Sequence, residues 1–116
     1  MGTFFHPITL IGPNGESETL EALVDTGASF TAIPRSILER LGFRPHRTTR
    51  LTIATGETVE WPWGWVDTTL DGVQEQTPCV FAPESAPPVI GAITLEIMGL
   101  GVDPGRKRLV PREGFA

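Results

Sequence analysis

Turn-forming residues cut this chain into short extended runs, and that punctuation limits its fold more than any other feature. Pro13, Asn14 and Gly15 separate "FFHPITLI" (4–11) from "SETLEALV" (17–24). Asp71-Gly72 divides "WPWGWVDTTL" (61–70) from "VQEQTPCVFA" (73–82) in the same way. Within the runs Ile, Val, Thr and Phe recur, and Leu20, Ala22 and Val24 alternate on one face as a half-buried strand requires. With 116 residues, 13 Gly and 11 Pro, the chain fits a single mostly β domain over 1–116.

Helices are few. "PRSILERLG" (34–42) is the clearest: Pro34 suits a first turn, Ile37, Leu38 and Leu41 form a stripe, and Gly42 can end it. "AITLEIMG" (92–99) predicts a second short helix closed by Gly99. The remaining segments read as extended: "SFTAI" (29–33), a short buried "VIG" (89–91), a hairpin over 50–60 and a last hairpin over 102–110. Pro62 and Gly64 predict an edge or irregular strand over 61–70, with Trp61, Trp63 and Trp65 on one side, packing more than contacting a ligand.

Charge and composition exclude several function classes. The net charge is −5 and the one basic cluster is Arg106-Lys107-Arg108, which disfavours a sequence-independent grip on nucleic acid. Cys79 is the single cysteine, so no internal disulfide forms; it reads as a small buried hydrophobe in a reducing compartment. No apolar run approaches the length of a bilayer span and the N-terminus carries no basic-then-apolar leader, so a soluble cytoplasmic protein is expected. His6 and His46 lie far apart in sequence and away from Cys79, so neither a metal site nor a cofactor is expected.

That leaves "LVDTGAS" (23–29), where an apolar strand runs straight into Asp25. Burying a carboxylate there is costly unless the fold supplies partners. Gly27 allows a tight turn and close approach of a ligand, and Thr26 and Ser29 offer hydroxyls to hold the loop.

"ALVDTGAS" resembles the active-site loop of the retropepsin-like, single-domain aspartic proteases. Three further segments resemble that family in the same order: "RLTIATGETVEWPWG" its flap hairpin, "PPVIGAITLEIMG" its hydrophobic-hydrophobic-glycine signature and following helix, and "VDPGRKRLVP" its terminal hairpin. The resemblance implies a closed β-barrel acid-protease fold with one or two short helices, acting as a two-fold homodimer on a peptide or protein substrate. It implies Asp25 as the catalytic residue, with Thr26, Gly27, Ala28 and Ser29 as the active-site loop. Ile53, Ala54, Thr55, Gly56 and Glu57 become the flap, and Ile33, Val89 and Ile90, with Ile53, subsite candidates. Water is the nucleophile, and no metal or cofactor is required. Retroviral members usually carry an aspartate at the position of Ser29 and an arginine at that of Ala92; both charges are absent together here.

Counting aspartates adds an architectural constraint. Hydrolysis of this type needs two carboxyl groups, one activating water and one polarising the carbonyl, yet the chain has one Asp-Thr-Gly. Asp67, Asp71 and Asp103 lack that context, so the dyad requires Asp25 from two copies. Like charges that close cannot both ionise cheaply, so activity favoured at mildly acidic pH is expected. The competing reading is a non-catalytic dimerisation or peptide-binding module that keeps the protease fold.

Overall fold

Alternation along the first two runs produces the strands. Phe4, Ile8 and Leu10 are buried on one face of β1 (Gly2–Ile11), as are Ala22 and Val24 on β2 (Ser17–Asp25). The two pair antiparallel with Ile8 opposite Leu20 and Phe4 opposite Val24. Gly15, at φ +88°, allows the turn between them, and the N–H of Gly12 donates to the carbonyl of Glu16 (2.7 Å). The computed structural model describes residues 2–113.

The chain continues as β3 (Thr31–Pro34), α1 (Arg35–Arg40), β4 (Arg47–Thr52), β5 (Thr58–Leu70), β6 (Val73–Ala82), β7 (Val89–Ile90), α2 (Ala92–Met98), β8 (Leu100–Asp103) and β9 (Arg108–Pro111). Seven strands form one sheet in the order β1-β2-β7-β3-β6-β5-β4, and β1 also pairs with β5 through Thr9–Ile11 and Asp67–Thr69. Strands β8 and β9 form a separate hairpin. Ile8, Leu10, Val24, Ile33, Leu38, Val66, Leu70, Phe81 and Ile90 are buried in one core cluster. Two short helices in a mostly β chain match the expectation from sequence, and no helix among the described residues is long and apolar enough to cross a membrane.

Local chemistry explains the element ends. Asp71 and Gly72, with φ of +52° and +81°, join β5 to β6 in the paired left-handed conformation that suits a two-residue hairpin. Helix α1 is shorter than predicted because Leu41 and Gly42 close it: the N–H of Gly42 donates to Glu39 O (3.0 Å) and that of Phe43 to Leu38 O (3.0 Å), with Gly42 at φ +95°.

Strand β5 is an edge strand over only part of 61–70: residues 67–69 pair with both β6 and β1, whereas 61–62 and 64–66 have a partner on one side. Trp63 is the switch point: before it β5 pairs with β4, and from it onward with β6. Pro62 falls in the stretch partnered on one side only, where a missing N–H is tolerated. At Gly64 a Cβ would stand 2.6 Å from the carbonyl oxygen of Arg44, so glycine lets the 43–46 segment cross the strand.

The N-terminus of α1 has no cap from its own Pro34. Glu84 supplies one: its carboxylate accepts from the Ser36 hydroxyl (2.6 Å) and the Ser36 N–H (3.0 Å). These two bonds, the hydroxyl's first, hold the Glu84 carboxyl below the ordinary glutamate range. A carboxyl depressed on folding stabilises the fold above its unfolded titration range and loses that contribution as pH falls through its folded value. Glu84→Gln is therefore expected to lower the urea midpoint at pH 7, with the difference from the parent shrinking at a second, acidic pH as the carboxyl takes up its proton. A constant difference at both pH values would mean that charge is not what the cap contributes.

Candidate active site

Strand β2 delivers Asp25 half-buried at its C-terminal end, and the backbone then turns at once. The Gly27 N–H donates to Asp25 Oδ1 (2.9 Å) and the Ala28 N–H to the Asp25 carbonyl (3.1 Å), so the carboxyl is itself part of the turn. Thr26, Gly27 and Ser29 are exposed, and Ala28 is half-buried.

The loop is clamped from behind by the first turn of α2. Ala92 N–H donates to Ala28 O (2.8 Å) and Ile93 N–H to Ser29 O (3.0 Å). These are orphan donors of a helix start, satisfied here by loop carbonyls. A buried hydroxyl pair completes the clamp: Thr31 Oγ1 accepts from Gly91 N–H (3.1 Å) and lies 2.6 Å from Thr94 Oγ1. Thr31→Val leaves both partners without that oxygen, at a cost of about 2 kcal/mol, whereas Thr31→Ser is expected to keep most of the stability in a denaturant titration. Equal midpoints for the Val and parent proteins would contradict the clamp.

Strand β7 threads between β2 and β3, parallel to β2 with Leu23 opposite Val89, and antiparallel to β3 with Ala32 opposite Val89. Side chains alternate, so Leu23, Val89 and Ala32 share the face of Asp25 and stay half-buried. Ile33 and Ile90 point the other way and are fully buried in the core. This corrects their assignment as subsite candidates: in this arrangement neither presents surface to a ligand, and Val89 alone of the three does. Leu23 and Ala32 lie on that same face, and the two-residue period from Asp25 back to Leu23 is the sequence signal for the first of them.

The hairpin between β4 and β5 turns through 53–57. Ile53 N–H donates to Glu57 O (2.9 Å), Gly56 N–H to Ile53 O (2.9 Å), and Gly56 takes φ +88°. Ala54, Thr55, Gly56 and Glu57 are exposed and Ile53 is half-buried. At the base of this hairpin Trp63 is 8% exposed, ringed by Phe30 (centroids 6.3 Å), His46 (5.1 Å) and Trp65 (5.4 Å). The tryptophans thus do not behave alike: Trp63 packs, Trp61 is half-buried and Trp65 is 50% exposed.

Beside the loop an open groove of about 740 Å³ runs between Thr26 and the β8–β9 hairpin, lined by Val102, Val110 and Pro111 among others. Cys79 is fully buried, and burial pushes its thiol far up, away from any nucleophilic role. Among the described residues no three His, Cys, Asp or Glu side chains gather as metal ligands.

An Asp-Thr-Gly turn at a strand end, backed by a glycine-led helix in a mostly β sheet, is the arrangement that the resemblance to the acid proteases leads one to expect. The match to a family model agrees: "Aspartyl protease" covers residues 8–103, and the chain belongs to that family. Among solved structures it is similar to EIAV protease in complex with the inhibitor HBY-793, with TM-score 0.63, 21% identity, and 84% of this chain and 88% of that one covered. It is also similar to simian foamy virus (mac) protease, with TM-score 0.57, 16% identity, and coverage of 80% and 92%. No curated protein sequence matches the chain significantly.

Proposed function

We propose that this chain is one half of a homodimeric aspartic endopeptidase, with its dyad formed by Asp25 from each copy. The observation that carries the reading is the Asp25 turn itself, a carboxyl oriented by Gly27 N–H in a member of the aspartyl protease family that has a single Asp-Thr-Gly. One carboxylate takes a proton from water as its oxygen bonds to the scissile carbonyl carbon, while the other, protonated, donates to the carbonyl oxygen. Collapse of the tetrahedral adduct breaks the C–N bond, and the leaving nitrogen takes a proton from the pair. No metal or cofactor enters these steps.

In this reading Thr26 contacts its copy, a role favoured by the groove beside it. Gly27, Ala28 and Ser29 meet substrate backbone, and Ile53, Ala54, Thr55, Gly56 and Glu57 form a flap whose main chain pairs with an extended peptide. Val89, Leu23 and Ala32 shape apolar subsites. The β1–β5 pairing favours a closed barrel, and the lone buried thiol favours a reducing location such as the cytoplasm.

The test combines cleavage of a mixed peptide library with sedimentation. Activity per chain is expected to fall on dilution as dimers dissociate, and cleavage is expected to be stronger at mildly acidic pH. Full activity from a species of 12.6 kDa would exclude the two-chain site, and no cleavage at any concentration would leave the non-catalytic peptide-binding module.

A further inference from the structure

We infer that the face around Trp63 is a docking surface for acidic peptide segments, placed to select substrates with carboxylates beyond the scissile bond. The inference rests on the peptide-binding part of the reading above. It comes from charge and contact. The protein carries net charge −5, yet residues 41–56 hold Arg44, His46, Arg47 and Arg50 and no Asp or Glu. Among the described residues no ion pair engages Arg44 or Arg47, whereas Arg35, Arg40 and Arg106 each meet a carboxylate.

Strand register sorts these cations. Arg50 stands opposite Glu60, while Arg47 stands opposite Trp63, with its guanidinium carbon 5.8 Å from the Trp63 ring centre. His46 meets the same ring edge-on, and half-exposed Trp65 extends the surface outward. Phe30, five residues after Asp25, joins Trp63 at 6.3 Å. An aromatic shelf with cations on its rim therefore runs from the active-site loop to the base of the 53–57 hairpin. Arginine held over a tryptophan face is pre-oriented, with guanidinium N–H groups available to a carboxylate, and an extended peptide leaving the Asp25 site has this shelf beside it.

All three tryptophans lie at 61–65 and the chain has no tyrosine, so intrinsic fluorescence reports this surface directly. The full Asp25→Asn chain is titrated with two synthetic ten-residue peptides that differ only in carrying three glutamates or three glutamines. The glutamate peptide is expected to bind about tenfold tighter at about 20 mM salt and less than about twofold tighter at about 0.5 M. Arg47→Gln should shrink the preference, and Arg47→Glu should turn it toward a lysine version, each with an unchanged melting curve.

Equal affinity for the two peptides, no fluorescence change with either, or an Arg47→Glu protein with the parent's preference overturns the inference. Stronger binding of a thymidine oligonucleotide than of the glutamate peptide also overturns it, by making the surface a polyanion site. Binding is read without turnover, so a wild-type chain that cleaves nothing leaves this result standing. Loss of the glutamate preference, in turn, leaves the cleavage reading standing.

Discussion

Asp25→Asn is expected to lower peptide cleavage by at least about a thousandfold while leaving the thermal midpoint within a few degrees of the parent. The two halves of that expectation have separate causes. A positioned acid–base group contributes about 10²–10⁴ in rate, and an amide can neither take the proton from water nor return it to the leaving nitrogen. The turn survives, because the asparagine oxygen can still accept from the Gly27 N–H that Asp25 Oδ1 accepts now at 2.9 Å. Mixing extends the experiment to architecture. Wild-type chain pre-equilibrated with a tenfold excess of Asp25→Asn chain should lose most of its activity, since nearly every wild-type copy then sits in a dimer with one carboxyl. Cleavage that tracks wild-type chain alone, whatever the excess of variant, would end the shared-dyad reading. Equal background cleavage by parent and variant would instead favour the binding module.

How much of this was legible in the sequence depends on the range of the forces involved. Hairpins marked by Asn14-Gly15 and Asp71-Gly72 were readable because their backbone demands are local, and both glycines take the positive φ that those turns need. The ends of α1 were readable to within a residue or two for the same reason. Phase was harder. Ile33 and Val89 look equivalent as apolar residues near a site, but which one faces a ligand depends on pairing across β2, β7 and β3. The partners there are more than fifty residues apart in the chain, and a one-residue slip exchanges the two faces. The switch of β5 from one partner to another at Trp63 was hidden likewise, because Pro62 and Gly64 carry an edge-strand signal even inside a strand with partners at both ends. Glu84 as a cap for Ser36, 48 positions away, has no sequence signature at all.

Gly91→Ala should be among the most damaging single-methyl changes at the described glycines, costing about 3 kcal/mol or more and removing activity even where the protein still folds. Backbone conformation is not the reason: Gly91 sits at φ −96°, ψ 172°, angles open to any residue. Space is. A Cβ there would lie 2.4 Å from the Phe30 carbonyl carbon, 2.5 Å from its oxygen and 2.8 Å from the Ser29 oxygen. All three are main-chain atoms of the active-site loop, so no rotamer change relieves the clash, and overpacking against backbone exceeds the usual 1–3 kcal/mol for an added methylene. Relief requires the loop to move off α2, yet Ser29 O holds Ile93 N–H and Gly91 N–H holds Thr31 Oγ1. Any such shift therefore loosens the clamp that places Asp25, and a displacement near 1 Å costs about a hundredfold in rate. Gly101→Ala is the matched control: its Cβ would meet only the Arg112 side chain at 3.5 Å or more, an ordinary contact. Denaturant midpoints at one protein concentration should separate the two variants by most of that 3 kcal/mol, with cleavage lost in the first and kept in the second. A Gly91→Ala protein as stable and active as the Gly101→Ala control would show that the loop tolerates the added methyl and does not depend on its contact with α2.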